Sequence, residues 1–305
     1  MAIWMVTYNH EKFISQAIEG VLFQKTNFDI KLFVGEDCST DRTREICMGY
    51  KNRFPEQIEV ICTAENNIIL NSENIFKACY YSGAKYVAIC EGDDYWTDPF
   101  KLQKQVDFLE TSPGICGCFH DVIVVDENNK VTKDNYYNPP KEIFNQVDSL
   151  TYGGNYCTGS LMFRSIILKN LPMWFLKSSN DYTLDLLITE FGNIAHLNEN
   201  MGAYRIHSGG TWQGNKMRKN LEDVIKRFFV CLTNPDFKKK YGGFFYKRIS
   251  ELSGNVALLY QEEGNRPKQI KYAWFYIYYA RARNFSNYKF LIGSLLFPFL
   301  KKNKK

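Results

Sequence analysis

The sequence predicts an α/β fold in which a largely parallel β-sheet is covered by helices on both faces. Short apolar runs alternate with stretches whose apolar residues recur at helical spacing through the first third of the chain. Helices supply the crossovers that parallel strands require. Polar clusters follow several of the apolar runs, at the strand ends where such sheets bind their ligands.

The first third of the chain contains four strand-like and four helix-like segments in alternation. The apolar residues Phe13, Ala17 and Val21 lie on one face of the first helix, and Ser39-Thr-Asp41 is typical of a helix start. The predicted strands are Ile3–Tyr8, Ile30–Gly35, Ile58–Cys62 and Tyr86–Cys90, and the predicted helices are Glu11–Gln24, Asp41–Phe54, Ser72–Ser82 and Lys101–Leu109.

The remainder is less regular and ends in a helical region. A strand at Ile115–Val125 closes at the turn Asp126–Asn129, and a polar loop, Lys133–Lys141, follows it. Further on we expect a short strand near Ser160–Arg164, a helix at Asp181–Phe191 and a final strand at Met201–Ile206. From Lys216 to about Ser286 the pattern is helical. We therefore predict a catalytic α/β domain over 1–213 and a helical appendix over 214–305.

Composition excludes several classes of protein and reveals a charge asymmetry. The 305 residues are 45% hydrophobic and 23% charged, which excludes a disordered, collagenous or disulfide-stapled chain. Residues 1–213 carry 18 Lys and Arg against 27 Asp and Glu, whereas residues 214–305 carry 20 against 6. An acidic body is thus followed by a basic tail.

The nine cysteines indicate reduced thiols in a cytosolic protein. Their number is odd, no CxxC pair occurs, and most lie in apolar runs. Cys116-x-Cys118 lacks a second pair at ligand spacing, which argues against a zinc site. The start, Met1–Val6, lacks the basic leader of a signal peptide, so we expect none.

Three predicted strands end in clusters of polar residues: Thr7-Tyr-Asn-His10, Glu36-Asp-Cys-Ser-Thr-Asp41 and Glu91-Gly-Asp-Asp-Tyr-Trp96. The carboxyl ends of parallel strands meet at one edge, so these carboxylates repel one another unless a cation or a donor-rich ligand lies among them. Carboxylates in this position are typical of Mg²⁺ or Mn²⁺ sites at phosphates. The alternative is a solvated acidic turn.

Together these runs resemble a family 2 glycosyltransferase. The resemblance rests on Val6–Ile14, Glu36–Thr43 and Tyr86–Trp96, followed by Lys101-Leu102 and Gln105-Val106. It is strong over 1–110, moderate to about 213 and absent afterwards. It implies the GT-A fold, a nucleotide-sugar donor and inversion of the anomeric centre. It also implies a nucleotide-sugar-binding half over 1–110 and an acceptor half over 111–213.

The resemblance assigns roles to individual residues of the nucleotide-sugar site. Tyr8 would pack on the base, and Glu36 or Asp37 would accept a hydrogen bond from it, as a carboxylate can from a ring N–H. Asp93 and Asp94 would hold Mn²⁺ or Mg²⁺, which offsets the charge of the departing nucleoside diphosphate. The implied nucleotide-sugar-binding set is Thr7, Tyr8, Asn9, Glu36, Asp37, Asn67, Glu91, Gly92, Asp93 and Arg205.

Two further segments resemble the family's catalytic features. Asp181 would be the general base that takes the acceptor's proton, with Asp185 as the second candidate; the competing interpretation is a helix cap. Arg205 and His207 precede Gly209-Gly210 and would meet the diphosphate or the metal, with a flexible lid beyond them. The alternative for His207 is a structural histidine.

The basic tail suggests a membrane surface. Lys268–Arg283 interleaves aromatic and basic residues, and an apolar run at Phe290–Leu300 precedes Lys301–Lys305. Aromatic residues beside basic clusters suit the interface of an anionic membrane. A helical bundle with a solvated basic face is the alternative; nucleic acid is disfavoured because the apolar run has no role in binding it. The run is too short to span a bilayer.

The sequence therefore predicts a metal-dependent, inverting glycosyltransferase that acts at the cytoplasmic face of the cell membrane as a peripheral protein. It would move one sugar from a nucleotide-sugar, with UDP as the expected carrier, to a glycan acceptor that we expect to be lipid-linked. A single addition is favoured because the Gln-x-x-Arg-Trp motif of processive members is missing. The rivals are a nucleotidyltransferase, for which Thr7–Phe13 lacks a glycine-rich phosphate loop, and an inactive membrane-surface protein.

Overall fold

A computed structural model describes residues 1–154, 156–210 and 217–280. The chain divides into two compact units, Met1–Gly209 and Gly210–Lys305. The first contains a mixed sheet with flanking helices and the second contains helices, so the predicted fold class is confirmed. The assignment of donor and acceptor halves within the first unit stays a prediction.

The first unit is built on one sheet of ten strands among the described residues. The strands are β1 Ala2–Thr7, β2 Lys31–Glu36, β3 Ile58–Cys62, β4 Tyr86–Ile89, β5 Tyr95–Trp96, β6 Ile115–Val125, β7 Val131–Lys133, β8 Ile143–Phe144, β9 Met162–Arg164 and β10 Asn193–Arg205. Their order across the sheet is β3-β2-β1-β4-β9-β6-β10-β5, with β7 beside β6 and β8 beside β10. The strands β1 to β4 are mutually parallel where they pair, and β6 is parallel to β10. The short strands β5, β7, β8 and β9 run antiparallel to their neighbours.

Helices cover both faces of the parallel part of this sheet. On one face Ile3 and Met5 of β1 pack in a cluster with Ile14 and Ile18, all fully buried. On the other face Trp4 stacks on Phe76 with ring centroids 5.5 Å apart. Burial on both faces explains why β1 is a continuous apolar run. The helices are α1 Ile14–Leu22, α2 Thr43–Arg53, α3 Ile68–Tyr81, α4 Lys101–Thr111, α5 Gln146–Tyr152, α6 Met173–Leu176 and α7 Asp181–Thr189.

Two predicted starts differ from the structure by four residues or more. Helix α3 begins at Ile68, four residues before the predicted start, because the Asn67 side chain caps it by accepting from the N–H of Leu70 at 3.1 Å. Strand β10 begins at Asn193 and not at Met201. Its first half lacks the apolar alternation of a strand. Nε2 of the polar His196 there forms a hydrogen bond with Oδ1 of Asp121 in β6, at 2.9 Å.

The second unit consists of the three helices α8 Met217–Leu232, α9 Pro235–Glu262 and α10 Arg266–Tyr279 in its described part. Asn234 and Asn265 cap α9 and α10, and a proline follows each cap in the first turn. Across 1–154, 156–210 and 217–280, we find no helix with the length and apolarity that a membrane crossing requires. The predicted continuation of the helices to Ser286 and the run Phe290–Leu300 lie outside the described residues.

Candidate active site

The loop after β4 carries the acidic cluster and lies against the end of β1. The N–H of Gly92 donates to the carbonyl of Val6 at 3.0 Å. A Cβ at position 92 would lie 2.7 Å from the Cβ and Oγ1 of Thr7, so only glycine allows this approach. The glycine therefore brings Asp93 next to the polar residues that follow β1.

Asp93 forms a cluster with two histidines from distant parts of the chain. Its Oδ2 lies 3.0 Å from Nε2 of His207 and 3.6 Å from Nε2 of His10. One ligand atom from each of the three residues lies within 4.8 Å of the others. The structure thus brings together Asp93 and His207, which the sequence assigned to metal. It adds His10, which had no assigned role although it belongs to the cluster after the first strand.

The carboxyl groups of this loop shift one another's pKa values. Burial acts to raise the pKa of Asp93, but the hydrogen bond with His207 and the proximity of His10 and His207 hold it below its ordinary value. Glu91 is half-buried, and its pKa is well above its ordinary value because of desolvation and because Asp93, Asp181 and Asp94 lie nearby. Asp93 is therefore the anion of the cluster.

Asp94 has different partners. Its Oδ1 accepts the main-chain N–H of Arg205 at 2.8 Å, and its Oδ2 faces the thiol of Cys157 at 3.6 Å. Burial and the charge of Asp93 raise the pKa of Asp94 well above its ordinary value. These contacts indicate that Asp94 positions the loop, and its predicted role as a metal ligand stays a prediction.

Arg205 is buried and its guanidinium is occupied by groups of the protein. It donates to the carbonyl of Asp93 at 2.9 Å, to Oδ1 of Asn129 at 2.8 Å and to Oε1 of Gln16 at 2.8 Å. The guanidinium of Arg205 thus anchors the acidic loop through a hydrogen bond to the loop's main chain. The predicted contact with the donor remains untested, and this geometry favours positioning.

The two carboxylates that follow β2 bind loops of the protein. Glu36 is fully buried; it accepts the N–H of Ser39 at 2.6 Å and forms an ion pair with Arg44. Asp37 accepts from Thr63, Asn66 and the main chain of Asn67 at 2.9–3.0 Å. Both residues therefore shape the loops at this edge of the sheet. Their predicted contact with a base stays a prediction.

The residues after β1 are joined to the loop after β2. Asn9 has a φ of 55°, and its Oδ1 accepts the N–H of Thr40 at 2.8 Å. Tyr8 is 39% exposed, which leaves its ring accessible to a base. Thr7 is buried, and its Oγ1 lies 3.2 Å from Nδ1 of His10.

The two candidate bases on α7 differ in accessibility. Asn180 caps the helix by accepting the N–H of Thr183, so Asp181 is the exposed first residue of the helix. Its charge contributes to raising the pKa of Glu91, which places it near the acidic loop. Asp185 is buried and accepts from the N–H of Gly154 at 2.7 Å and from the Tyr156 hydroxyl. Burial raises the pKa of Asp185 to about 7.

Most of the first unit matches a known protein family. Residues 2–171 match the family described as Glycosyl transferase family 2, which is more than half of the chain. The chain belongs to glycosyltransferase family 2.

The curated relatives of this family 2 member include named and uncharacterized proteins. An uncharacterized protein of Mycobacterium tuberculosis is 32% identical over 223 residues, covering 70% of this chain and 60% of the relative. An uncharacterized glycosyltransferase of Nostoc is 28% identical over 269 residues, 84% of this chain and 80% of the relative. The putative teichuronic acid biosynthesis glycosyltransferase TuaG of Bacillus subtilis is 33% identical over 103 residues, 34% of this chain and 39% of TuaG. The chain thus spans less than two thirds of the mycobacterial relative.

Solved structures of GT-A type share the fold. TarS of S. aureus in complex with UDP-GlcNAc superposes with a TM-score of 0.58 at 15% identity, covering 96% of this chain and 90% of that chain. A mannosyltransferase of Pyrobaculum calidifontis in complex with GDP-Man and Mn²⁺ gives 0.53 at 11% identity, covering 98% and 80%. At these identities the likeness supports the fold alone.

Proposed function

We propose that this family 2 glycosyltransferase transfers a single sugar from a nucleotide-sugar, with UDP as carrier, and inverts the anomeric centre with the help of Mn²⁺ or Mg²⁺. The main support is the cluster that Asp93 forms with His207 and His10 after the carboxyl end of β4, with the exposed Asp181 near enough to contribute to the raised pKa of Glu91. Ligands of parallel sheets bind at this edge. The TarS and mannosyltransferase complexes hold nucleotide-sugars, and the latter also holds Mn²⁺.

Asp93 and His207 fit a divalent cation. A carboxylate oxygen of Asp93 and an imidazole nitrogen of His207 lie 3.0 Å apart. Carboxylate oxygen suits Mn²⁺ and Mg²⁺, and imidazole nitrogen is a ligand of first-row transition metals. A cation bound there would offset the negative charge that the diphosphate gains as it leaves. The chain itself keeps Asp93 ionised through the neighbouring histidines and holds its main chain with Arg205.

Asp181 would take the proton of the acceptor hydroxyl. Inverting transfer is a single displacement, so the base must approach from the face opposite the leaving group. Asp181 comes from α7, far in sequence from the acidic loop, and it is exposed to an incoming acceptor. Asp185 is a weaker candidate because its carboxylate is buried and already accepts two hydrogen bonds.

We further propose a lipid-linked glycan as the acceptor, in cell-surface polysaccharide synthesis at the cytoplasmic face of the membrane. TuaG, by its name, acts in teichuronic acid biosynthesis. On α10, Trp274 and Tyr278 are 49% and 58% exposed and their rings stack at 4.6 Å, in a region with 20 basic and 6 acidic residues. Exposed aromatic rings beside basic residues suit an anionic membrane interface.

The test is a thermal-shift panel of nucleotide-sugars with and without Mn²⁺, followed by hydrolysis of the donor that binds. A ligand of the folded state raises the melting temperature, so we expect a UDP-sugar to stabilise the protein only with Mn²⁺. Asp93→Ala should abolish both effects. Asp107→Ala, at an exposed aspartate of α4, is the matched control and should keep both. A membrane-surface protein without activity would show no hydrolysis in the unaltered chain, which would overturn the proposal.

A further inference from the structure

We propose that His10 is a third metal ligand beside Asp93 and His207, and that these two imidazoles and one carboxylate make the site selective for Mn²⁺ over Mg²⁺. This inference deepens the proposed function, because it names the ligands and the metal of the same site. It rests on the positions of three side chains that come from three separate segments of the chain.

The spacing of the three ligand atoms fits one metal ion. A cation bound at roughly 2.0–2.2 Å by nitrogen and oxygen ligands places adjacent ligand atoms roughly 3–3.5 Å apart. Nε2 of His207 and Nε2 of His10 lie 3.0 and 3.6 Å from the same oxygen of Asp93. All three ligand atoms lie within 4.8 Å of one another, so only small side-chain movements are needed.

The surroundings of His10 present the correct ring nitrogen. Nδ1 lies 3.2 Å from Oγ1 of Thr7, and a hydrogen bond there leaves the lone pair of Nε2 for a metal. The main-chain N–H of His10 donates to Oγ1 of Thr43 at 2.8 Å, which anchors the residue. The ring of His207 is held by Phe13, with centroids 4.7 Å apart. Both imidazoles are thus oriented by contacts outside the cluster.

The donor set discriminates between metals. Imidazole nitrogen suits transition metals, whereas Mg²⁺ prefers oxygen ligands and retains its water. Asp94 is the nearest further carboxylate in sequence, and its oxygens face the N–H of Arg205 and the thiol of Cys157. Within the described residues the cluster therefore offers one carboxylate and two nitrogens.

The charge of this set also suits the substrate. Two neutral imidazoles and one carboxylate leave a bound divalent cation with one net positive charge. Three protein ligands leave further coordination positions of a six-coordinate ion open. Oxygens of the diphosphate can fill those positions, and their negative charge is attracted to the remaining positive charge. The alternative is that His207 serves only as a hydrogen-bond partner of Asp93 and His10 only as a neighbouring polar group.

The test measures the binding of Mn²⁺ and of Mg²⁺ to the full chain in the absence of donor. The electron paramagnetic resonance signal of free Mn²⁺ reports how much Mn²⁺ is bound. Mg²⁺ binding is measured by its competition. We expect Mn²⁺ to bind at least 10-fold more tightly than Mg²⁺. His10→Ala should lower the Mn²⁺ affinity about 10- to 100-fold and leave Mg²⁺ binding nearly unchanged. His196→Ala is the matched control, because His196 forms a similar pair with Asp121 outside the cluster, and it should bind Mn²⁺ normally.

Pulsed electron paramagnetic resonance counts the imidazole nitrogens on the bound Mn²⁺. The unaltered chain should give two, and His10→Ala and His207→Ala should each give one. Two nitrogens remaining in His10→Ala, or equal affinity for the two metals, would overturn the inference. Circular dichroism and the melting temperature establish that each variant is folded. Mn²⁺ bound by two imidazoles in a chain that hydrolyses no nucleotide-sugar would uphold the site and refute the proposed function, so the two failures are distinguishable.

Discussion

The main-chain N–H of Arg205 donates a hydrogen bond to Oδ1 of Asp94 at 2.8 Å, across a separation of 111 residues. Asp94 directly follows Asp93, and Arg205 lies two residues before His207. This bond, together with the one from the Arg205 guanidinium to the carbonyl of Asp93, therefore helps to set the distance between Asp93 and His207, two of the three residues proposed to hold the metal. A carboxylate that carries such a bond while buried is difficult to replace without moving both segments.

We expect Asp94→Ala and Asp94→Asn to behave differently. Alanine leaves the buried N–H of Arg205 without its acceptor, which costs about 1–3 kcal/mol in the free energy of unfolding and should weaken Mn²⁺ binding about 10-fold. Asparagine keeps an oxygen at this position and should stay within about 1 kcal/mol of the unaltered chain. Urea unfolding and Mn²⁺ titration measure the two effects. Stable asparagine and alanine variants that both fail to bind Mn²⁺ would instead make Asp94 a metal ligand.

Gly92→Ala should disturb the site by forcing the loop after β4 away from the end of β1. The new Cβ would lie 2.7 Å from Thr7 and 3.0 Å from the carbonyl of Val6. We expect a loss of about 1–3 kcal/mol in the free energy of unfolding, together with weaker Mn²⁺ binding. Gly49→Ala is the control, because nothing lies within 4 Å of its Cβ and α2 should gain up to about 1 kcal/mol. Equal melting temperatures for both variants would contradict the close approach.

Lys101 should make stability depend on pH in an unusual direction. It is fully buried in the first turn of α4, its Nζ lies 3.7 Å above the Trp96 ring, and no hydrogen-bond partner for Nζ occurs among the described residues. Burial lowers the pKa of Lys101 from 10.5 to about 7. Between these values the unfolded chain binds the proton and the folded chain does not, so this residue's contribution to stability rises with pH.

Lys101→Met removes this proton-linked cost and should therefore be more stable than the unaltered chain below pH 7. Its advantage in the free energy of unfolding is expected to be at most about 5 kcal/mol there, and it should shrink as the pH rises from about 7 to 10. Urea unfolding of both proteins at several pH values gives the difference directly, because other titrating groups cancel. A difference that does not change with pH would show that Lys101 stays charged in the folded protein.

Asp181→Asn should abolish transfer and leave the binding steps intact. A missing general base lowers the rate about 10²- to 10⁴-fold, whereas Mn²⁺ binding and the thermal shift by the donor should be unchanged. Asp185→Asn is the comparison variant: the burial that raises the pKa of Asp185 to about 7 already favours its neutral form, which asparagine resembles. It should retain most of the transfer rate. Full transfer by Asp181→Asn, together with lost transfer by Asp185→Asn, would instead make Asp185 the general base.

Deleting residues 285–305 should release the protein from vesicles that contain anionic lipid. The deletion removes Phe290–Leu300 and Lys301–Lys305, and with them apolar area and positive charge that favour the membrane interface. Vesicle sedimentation measures the bound fraction, and neutral vesicles are the control. High salt should weaken binding of the full chain. Unchanged binding of the shortened chain would refute the membrane role of this segment.

Local pattern was sufficient to predict most of the first unit. The strands β1, β2, β3 and β6 lie at or within one residue of their predicted positions, because their short, mainly apolar runs are evident in sequence. Family resemblance, and not spacing, pointed to Asp93 and His207, which do lie together. The early part of β10 escaped prediction because pairing with β6 stabilises its polar residues, and such pairing leaves no trace in local periodicity.

Contacts between distant segments determined the rest. His10, Asp93 and His207 meet because β1 pairs with β4 and because Arg205 joins the end of β10 to the acidic loop. The amino-acid order carries the periodicity of each element and the identity of its polar ends. Which of those ends meet in a candidate cation site, and which carboxylates accept hydrogen bonds from the protein's own N–H groups, depends on contacts between residues more than a hundred positions apart. The folded sheet brings those residues within reach of one another.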